Sequence, residues 1–580
     1  MTEKMRPYLD LHLALSLEAC LPGEQAYQPL LAWKGIVFSR QRLAHLGRNS
    51  DDPKVSAVLA DLQSTASRLA TLVFTIPDLQ QGDAWQRQIA ALSQRKEELE
   101  GQLSGLSAEF RRQKEQQQLT PEKVQAVLPA DAALVDYLAF SKEVRPVKGQ
   151  AKLSKERRLV AFVVRRERPI AACDLGPIQP IADAIERWRL AVSRVSAQPS
   201  VEAQQLRRAL WEPLEQHLED AKIVLISPDD ALARFPFAAL PGKEPDRYLI
   251  EERAVAPVPV PQMLPELLSA EPQPQPQAQP PRMLLVGNVD FDNRSQMPAE
   301  NLLAQVEHRT RAGGLLHWGP LPGTAAEIQA IAEAFRSAHA ARQPTVVEGS
   351  QATVDVICQK VPQAEYLHFA THGFFAPPEV RSALDQQNQP QGLQDQDFAD
   401  DQRMSLREVV GFHPGLLSGL VLAGANQPGQ HDDGVLTAAE VAELDLRRMH
   451  LAVLSACETG LGRTAGGEGL LGLQRAFQSA GARSVVASLW RVPDDATRAL
   501  MVEFYQNLWQ KKLGKLEALR QAQLTMLRQY DVKAGQLRGA GAVKPVDPKK
   551  LAAASPAEDQ PPPSLPPCYW AAFVLSGDWR

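Results

Sequence analysis

The chain has 580 residues, with 63 Lys and Arg against 68 Asp and Glu, which gives a formal net charge of −5 at pH 7. A charge this close to neutral disfavours nucleic acid or an acidic membrane surface as the main partner. Hydrophobic residues make up 44% and charged residues 23% of the chain, which is typical of a globular protein and excludes wholesale disorder.

The five cysteines lie far apart and form no Cys-x-x-Cys pair, which excludes a disulfide framework and a zinc knuckle. Near the N-terminus, Asp10 and His12 interrupt the only apolar run that resembles a signal sequence. No other window approaches the roughly 20 apolar residues that a membrane-spanning helix needs. We therefore expect a cytoplasmic protein with no membrane or nucleic-acid partner, no metal and no other cofactor.

Residues 1–118 have the spacing of amphipathic helices. In segments 55–62 and 88–100, apolar residues recur three and four positions apart among charged ones. The segments show no self-similarity at a period of about 34 residues, so a tetratricopeptide array is not predicted. We expect a helical arm that is at most a remnant of such repeats.

Residues 119–265 have a different pattern, in which strand-like runs at 133–138, 159–164 and 222–227 alternate with helical stretches. This pattern predicts an α/β domain. Residues 266–282 are rich in Pro and Gln and contain too few apolar side chains to offset the entropy of ordering them, so we interpret them as a linker.

From residue 283 to 580, short apolar runs alternate with amphipathic helices, which predicts a mainly parallel sheet flanked by helices. The apolar runs are at 283–287, 365–370, 417–422, 450–456 and 484–490. One helix is expected to open with a capping box formed by Thr324 and Glu327, and another is expected from Glu468 to Ala480, closed by Gly481. The long polar stretches 378–405 and 424–435 are typical of lids or regulatory loops.

Two of these apolar runs end in reactive side chains. His372 follows the run that ends at Ala370, with Gly373 directly behind it, and Cys457 follows the run that ends at Ala456. Side chains at the carboxyl ends of parallel strands meet at one edge of the sheet, so an imidazole and a thiol are predicted to share a groove.

A cysteine near a histidine can act as a nucleophile, because the histidine raises the thiolate fraction near neutral pH. The oxyanion that forms during attack on a peptide carbonyl needs backbone N–H donors. We therefore predict Cys457 as the nucleophile, His372 as the base and acid, and the amides of Gly373 and Cys457 as the oxyanion hole. His368 is expected to be a hydrogen-bonded structural residue of the strand.

At these residues the sequence resembles the CHAT proteases, relatives of caspases and separase that often follow tetratricopeptide repeats. The matching stretches occur in family order across residues 283–580: Leu321-Pro-Gly-Thr, His368-Phe-Ala-Thr-His-Gly, Ser418-Gly-Leu-Val-Leu-Ala-Gly-Ala-Asn, Asp433-Gly-Val-Leu-Thr-Ala-Ala-Glu-Val, Leu454-Ser-Ala-Cys-Glu-Thr-Gly, Gly467-Glu-Gly, Ala487-Ser-Leu-Trp-Arg-Val-Pro-Asp-Asp and Tyr569-Trp-Ala-Ala-Phe-Val-Leu-Ser-Gly-Asp-Trp. The resemblance implies a caspase-like protease domain at 283–580 and a degenerate α/β half at 119–265.

In the caspase-like arrangement, the loop at 490–495 helps to form the pocket for the substrate residue before the cleaved bond. Resemblance to separase favours a carboxylate there, so Asp494 or Asp495 would bind an arginine in a bidentate pair. Arg491 offers the opposite interpretation, an acidic substrate residue as in caspases. Basic specificity is preferred and acidic specificity stays open; Ser455 and Trp490 complete the predicted substrate-binding set.

The resulting hypothesis is a cysteine endopeptidase of protein substrates. Its N-terminal regions are expected either to hold it inactive or to bind a regulatory protein partner. The alternative is a catalytically silent scaffold that keeps the fold for protein interactions. A nucleotide-binding signalling domain is a third hypothesis. The glycine-rich stretch 460–469 lacks the Gly-Lys-Ser/Thr ending of a phosphate-binding loop, which argues against it.

Overall fold

A computed structural model gives the structure of the chain. It describes residues 2–35, 82–106, 119–144, 154–193, 201–269, 281–292, 317–375, 418–427, 433–456, 462–465, 469–537 and 565–580, together with residue 415 and isolated positions between 38 and 69.

The first part of the chain contains helices on both sides of one mixed sheet. Its helices are α1 (Thr2–Glu18), α2 (Gly23–Trp33), α3 (Gly82–Leu106), α4 (Pro121–Val127), α5 (Ile178–Ser193), α6 (Val201–Leu210), α7 (Glu215–Leu218), α8 (Leu249–Glu252) and α9 (Leu264–Ser269). Its strands are β1 (Ala132–Val144), β2 (Ser154–Arg165), β3 (Ala171–Pro177), β4 (Ile223–Ser227) and β5 (Ala254–Pro257).

The strand order in this first sheet is β3-β2-β1-β4-β5. Strands β1, β4 and β5 run parallel, whereas β2 pairs antiparallel with both β1 and β3. The three predicted apolar runs lie in β1, β2 and β4, whereas β3 and β5 were not predicted. The α/β prediction for this region is thus confirmed, with a mixed sheet.

The first two helices of the predicted arm pack on this sheet. Lys34, just after α2, is fully buried and donates through Nζ to Asp136 Oδ1 at 2.5 Å, Tyr137 O at 2.7 Å and Ser227 O at 3.1 Å. Tyr27 of α2 donates its hydroxyl to the other Asp136 oxygen at 3.0 Å. A buried charge must be paired and hydrogen-bonded, and here four contacts meet that need. The end of α2 is therefore anchored on the first sheet by buried polar contacts.

We expect Lys34→Met to lower the free energy of unfolding by about 3–5 kcal/mol, because it leaves the Asp136 carboxylate buried without its cation. The matched control is Lys142→Met, since the pair of Lys142 with Glu18 at 2.9 Å is partly exposed and a surface pair contributes less than about 1 kcal/mol. Denaturant unfolding of both variants measures the difference. Equal losses would show that α2 is not anchored by this pair.

Among the described residues, the second part of the chain contains the larger sheet and three smaller ones. Its strands are β6 (Met283–Val289), β7 (Thr345–Gly349), β8 (Tyr366–Ala370), β9 (Gly373–Phe375), β10 (Ser418–Val421), β11 (Val435–Thr437), β12 (Leu451–Ser455), β13 (Gly462–Ala465), β14 (Gly469–Gly472), β15 (Ser484–Ser488), β16 (Tyr530–Asp531), β17 (Gln536–Leu537) and β18 (Phe573–Gly577). Its helices are α10 (Pro322–Ala338), α11 (Val354–Lys360), α12 (Ala438–Val441), α13 (Leu473–Ser479), α14 (Asp494–Trp509) and α15 (Lys515–Gln529).

The larger sheet has the order β18-β15-β12-β8-β6-β7, and all its pairs are parallel except β15 with β18. Successive residues of β12 alternate between two buried clusters: Leu451 and Val453 belong to the one that contains α10 and α14, and Ala452 and Leu454 to the one that contains α11, α12 and α13. Burial on both faces explains why the strands are continuous apolar runs. The predicted fold, a mainly parallel sheet flanked by helices, is confirmed.

The apolar run at 417–422 does not join this sheet. Its strand β10 pairs antiparallel with β9 and β11 in a separate three-stranded sheet. The prediction of a strand was right, but its place in the parallel sheet was wrong, because a short apolar run does not indicate strand direction. With β10 elsewhere, β12 pairs directly with β8.

Two predicted helix starts are also corrected. Helix α10 begins at Pro322, a residue pre-organised for the first helical position, so Thr324 is not the cap. The Thr324 hydroxyl donates to Leu321 O and accepts from the backbone N–H of Asn288. Helix α13 begins at Leu473, because Gly469–Gly472 form β14. It ends at Ser479, one residue before the predicted end, with Ala480 as its C-cap and the predicted Gly481 next, at φ +112°.

Several predicted features lie outside the described residues: most of segment 55–62, residues 270–280 of the linker, the loop 378–405 and residues 428–432 of the second loop. In the part of the chain that the structure describes, no helix has both the length and the apolar sequence needed to cross a membrane. The domain boundaries at 118, 265 and 282 stay predictions.

Candidate active site

The two strands that precede the predicted catalytic residues are neighbours. Strands β8 and β12 pair in parallel, with Ala370 opposite Ser455. His372 is the second residue after β8, and Ala456 directly follows β12, so both stand at the same edge of the sheet. Cys457 itself lies outside the described residues. The register thus brings the described end of β12 next to the end of β8, the strand that precedes His372.

His372 is half-buried between two aromatic rings. The ring centroids of Phe291 and Trp318 lie 5.0 and 5.4 Å from the imidazole. His372 Nε2 lies 2.8 Å from the carbonyl oxygen of Gly319 and must donate to it, because a carbonyl only accepts. In the neutral imidazole this places the proton on Nε2 and leaves the lone pair of Nδ1 available as an acceptor.

The surroundings of His372 favour the neutral imidazole. Burial is the largest effect and lowers the pKa of His372 below its ordinary 6.5; the Gly319 carbonyl opposes it, the Arg491 cation lowers the pKa further and the Asp494 carboxylate raises it. The charges of Arg491 and Asp494 thus have opposite effects on the pKa of His372. A neutral histidine at pH 7 is the form that can accept a proton from a thiol.

Opposite shifts are expected from neutralising these two charges. Arg491→Gln should raise the pKa of His372, since the cation no longer opposes protonation, and Asp494→Asn should lower it, since the anion no longer favours protonation. Titration of the His372 ring by NMR measures both. Shifts in the same direction, or no shift in either variant, would place these charges away from the imidazole.

The backbone amide of Gly373 points away from its neighbouring strand. Val421 N donates to His372 O at 2.8 Å, which makes the facing residues Gly373 and Leu420 a non-hydrogen-bonded pair of the antiparallel ladder. Strand β9 is at the edge of its sheet, so this amide is directed outward from the ladder. Its direction suits an oxyanion donor next to His372.

The structure separates the two acidic residues that begin α14. A Cβ atom added to Gly323 at the start of α10 would lie 2.6 Å from Asp494 Oδ2, so the Asp494 carboxylate faces α10. The neighbouring Asp495 accepts from Arg498 at 3.1 Å and lies against Gly535 in the turn between β16 and β17. The two carboxylates therefore lie against different parts of the protein, Asp494 at the start of α10 and Asp495 at the turn between β16 and β17.

Trp490 is not placed as a substrate-binding surface. Its ring is buried against Trp188, and its indole N–H donates to Cys568 O at 3.2 Å. Arg491, the next residue, is exposed. The aromatic side chain of this loop therefore packs in the core, whereas Arg491 and Asp494 are exposed.

Ser455 is also engaged within the protein. Its hydroxyl donates to Glu327 Oε1 at 2.7 Å, and the same oxygen lies 3.0 Å from His368 Nε2. His368 Nδ1 lies 3.3 Å from the hydroxyl of Tyr505. All four side chains are buried, so they form a polar cluster that joins α10, β8, β12 and α14 beneath the site. The Ser455 hydroxyl is thus engaged by Glu327, and its predicted part in substrate binding stays a prediction. His368 is buried and hydrogen-bonded within the protein, as expected.

Several of these groups were not predicted. Glu327 was assigned to a capping box, yet it shares the apolar face of α10 with Ile328 and Ile331, and a carboxylate on such a face is a sequence signal for a buried polar partner. The contributions of Phe291, Trp318 and Gly319 come from segments far from His372 in sequence. No local pattern indicates them.

No metal cluster is evident in the described ranges, where no three His, Cys, Asp or Glu side chains stand close enough to hold an ion.

Comparison with known proteins gives one family match. The family model described as "CHAT domain" matches residues 201–578, which is more than half of the chain. The match begins within the region of the first sheet and extends to the last strand of the second.

Two relatives share part of this sequence. Tetratricopeptide repeat protein 28 of Homo sapiens is 27% identical over 287 residues, 47% of this chain and 10% of that protein, and its Mus musculus counterpart is 30% identical over 205 residues, 33% of this chain and 7% of that protein. The chain thus spans a tenth or less of the length of these relatives.

Two solved structures have a similar arrangement. The Arg-specific cysteine proteinase gingipain R has a TM-score of 0.34 and 9% identity, covering 69% of this chain and 74% of that chain. Separase in the Saccharomyces cerevisiae separase–securin complex has a TM-score of 0.38 and 9% identity, covering 89% of this chain and 36% of that chain.

Proposed function

Because the chain belongs to the CHAT domain family, we propose that it is a cysteine endopeptidase in which Cys457 and His372 cleave a protein substrate. The observation that carries the proposal is the parallel register of β8 and β12, with Ala370 opposite Ser455. His372 and Cys457 each follow these residues by two positions. Continuing the register would bring thiol and imidazole side by side.

In the proposed reaction, the Nδ1 lone pair of His372 takes the proton of the Cys457 thiol. The hydrogen bond from Nε2 to Gly319 O keeps Nδ1 as the acceptor and stabilises the imidazolium that forms. The thiolate then attacks the carbonyl carbon of the substrate, forming a C–S bond while the carbonyl π electrons move to oxygen. The outward amide of Gly373, together with that of Cys457, would stabilise this oxyanion.

Collapse of the tetrahedral intermediate breaks the C–N bond, and His372 returns its proton to the departing amine. The thioester that remains is attacked by a water molecule, which gives its proton to the same imidazole. The second collapse breaks the C–S bond and releases the carboxylic acid, and the imidazolium returns its proton to the departing thiolate. One histidine alternates between base and acid, and burial holds its pKa below the ordinary value of an imidazole.

For the residue before the cleaved bond we propose arginine or lysine, bound by Asp494. This carboxylate is exposed, faces α10 and raises the pKa of His372, so it lies near the reacting groups. Asp495, engaged by Arg498, is not part of the proposed pocket. Arg491 supports the competing acidic specificity, and the profiling experiment below distinguishes the two.

We also propose that a regulatory protein partner acts through the N-terminal region outside α1 and α2. Helix α2 is anchored on the first sheet by Tyr27 and by Lys34 directly after the helix, so a partner cannot release α2 without breaking a buried ion pair. Helix α1 packs on β1 of the same sheet. Between residues 87 and 102, most of the described side chains of α3 are exposed, among them Arg87, Arg95, Glu97 and Glu98, so this stretch offers a contact surface instead. A regulatory contact there would leave the first sheet intact.

Profiling of a peptide library with the full chain, beside the Cys457→Ala variant as a blank, tests the proposal. We expect cleavage that depends on Cys457 and is enriched for arginine or lysine before the cleaved bond. Cysteine-dependent cleavage after aspartate would indicate that Arg491, and not Asp494, binds the substrate residue before the cleaved bond. Absence of cysteine-dependent cleavage would favour the interaction scaffold.

A further inference from the structure

The side chain of Asn426 joins two segments that surround His372. Its Nδ2 donates to Asp292 Oδ1 at 2.7 Å and to Trp318 O at 3.0 Å, and its Oδ1 accepts from Trp318 N at 2.8 Å. Its backbone N–H donates to Phe291 O at 2.9 Å. Asn426, in the segment that follows β10, therefore connects the chain that leaves β6 with the chain that enters α10 through hydrogen bonds.

These two segments supply the groups that surround the imidazole. Phe291 and Trp318 provide the flanking rings, and Gly319, directly after Trp318, provides the carbonyl that receives the His372 Nε2–H. No direct hydrogen bond between Asn426 and His372 occurs among the described residues. Any influence of Asn426 on the imidazole must pass through the backbone that it holds.

The contacts require an amide in particular. Trp318 presents one donor and one acceptor, and the Asp292 carboxylate presents an acceptor, so the partner must accept once and donate twice. Asparagine meets this need with all three of these side-chain contacts made. An aspartate at position 426 could accept from Trp318 N, but it would face the Trp318 carbonyl and the Asp292 carboxylate without a proton to give, and like charges repel.

We infer that Asn426 is a positioning residue, which holds the Trp318–Gly319 backbone so that the Gly319 carbonyl fixes the orientation and protonated nitrogen of His372. The placement of the imidazole follows from the geometry alone, and only the effect on turnover rests on the proposed function. A misplacement of about 1 Å at such a contact costs about 10²-fold in rate. Because the contact is made by the enzyme alone, the loss should fall on kcat rather than on KM.

The test follows the Nε2–H proton of His372 by NMR in the full chain labelled with ¹⁵N-histidine and assigned with a His372→Gln sample. In the parent we expect a proton signal protected from exchange with water by the Gly319 carbonyl. Asn426→Ala and Asn426→Asp should abolish this protection. Combining Asn426→Asp with Asp292→Asn should recover part of it, since an amide again donates to a carboxylate between these two positions.

The matched control is Asn507→Ala. This substitution removes another side-chain amide that donates to a backbone carbonyl, that of Ala518 at 3.1 Å, in the α14–α15 region and not in the segments around His372. Protection that persists in Asn426→Ala, or that is lost equally in Asn507→Ala, would overturn the inference. With an active parent, kcat should fall about 10²-fold in Asn426→Asp and recover partly in the double variant. An inactive parent with the expected NMR result would remove the proposed function and leave this inference intact.

Discussion

Cys457→Ala is expected to lower kcat/KM for peptide cleavage by about 10⁴-fold or more, since the variant has no nucleophile to form the thioester. The substitution removes one sulfur atom, so the melting temperature should stay within about 2 °C of the parent value. Rates on the best library peptide, measured beside thermal unfolding of both proteins, separate lost chemistry from lost folding.

Cys173→Ala is the matched control for this variant. Cys173 is a free, partly buried cysteine of β3, and burial raises the pKa of its thiol, so it has little thiolate character at neutral pH. We expect this variant to retain full activity. Turnover by Cys457→Ala above the rate of an enzyme-free blank would contradict the proposed nucleophile.

Asp494→Asn should reduce kcat/KM about 100-fold on peptides with arginine before the cleaved bond, because the charge-assisted pair with the guanidinium is lost. The loss on peptides with an uncharged residue at this position should be much smaller. Because Asp494 also raises the pKa of His372, both rates are compared at pH 8, where the imidazole is neutral in either protein.

The adjacent Asp495→Asn provides the control for this prediction. Its carboxylate already accepts from Arg498 and lies beside the turn between β16 and β17, so its loss should leave the preference for arginine unchanged. Equal losses of kcat/KM in the two variants would contradict the role of Asp494 in binding arginine. A parent that prefers aspartate before the cleaved bond would instead indicate that Arg491 determines the specificity.

The larger sheet was predictable from the sequence because its strands are buried on both faces. Such strands are continuous apolar runs, and β6, β8, β12 and β15 were located in this way. The edge strands β7 and β18 were not predicted, and neither was the separate sheet that contains β10. The resemblance carried by the motifs is confirmed by the family match over residues 201–578.

The candidate site was predictable to the extent that it depends on strand ends. His372 and Gly373 stand where their strand predicts, whereas Trp490 packs in the core and Ser455 bonds to Glu327. Such roles depend on contacts between residues far apart in sequence. Asn426 and Trp318 illustrate this: their bonded groups are 108 positions apart, and neither local sequence indicates the other.

Within the described part of the site, the geometry defines a histidine prepared to accept a proton. The Nε2–H bond to Gly319, the flanking rings and the lowered pKa all favour a neutral imidazole with a free Nδ1 lone pair. The remaining step in the account is the partnership of this imidazole with the thiol of Cys457.

The alkylation rate of Cys457 by iodoacetamide between pH 5 and 9, followed by mass spectrometry, tests that partnership most directly, with exposed Cys20 as the reference thiol in the same molecule. At pH 7 we expect Cys457 to react about 10-fold faster than Cys20 in the parent, and at the rate of Cys20 in His372→Ala. Equal rates for the two cysteines in the parent, or an undiminished Cys457 rate in His372→Ala, would contradict the proposed dyad.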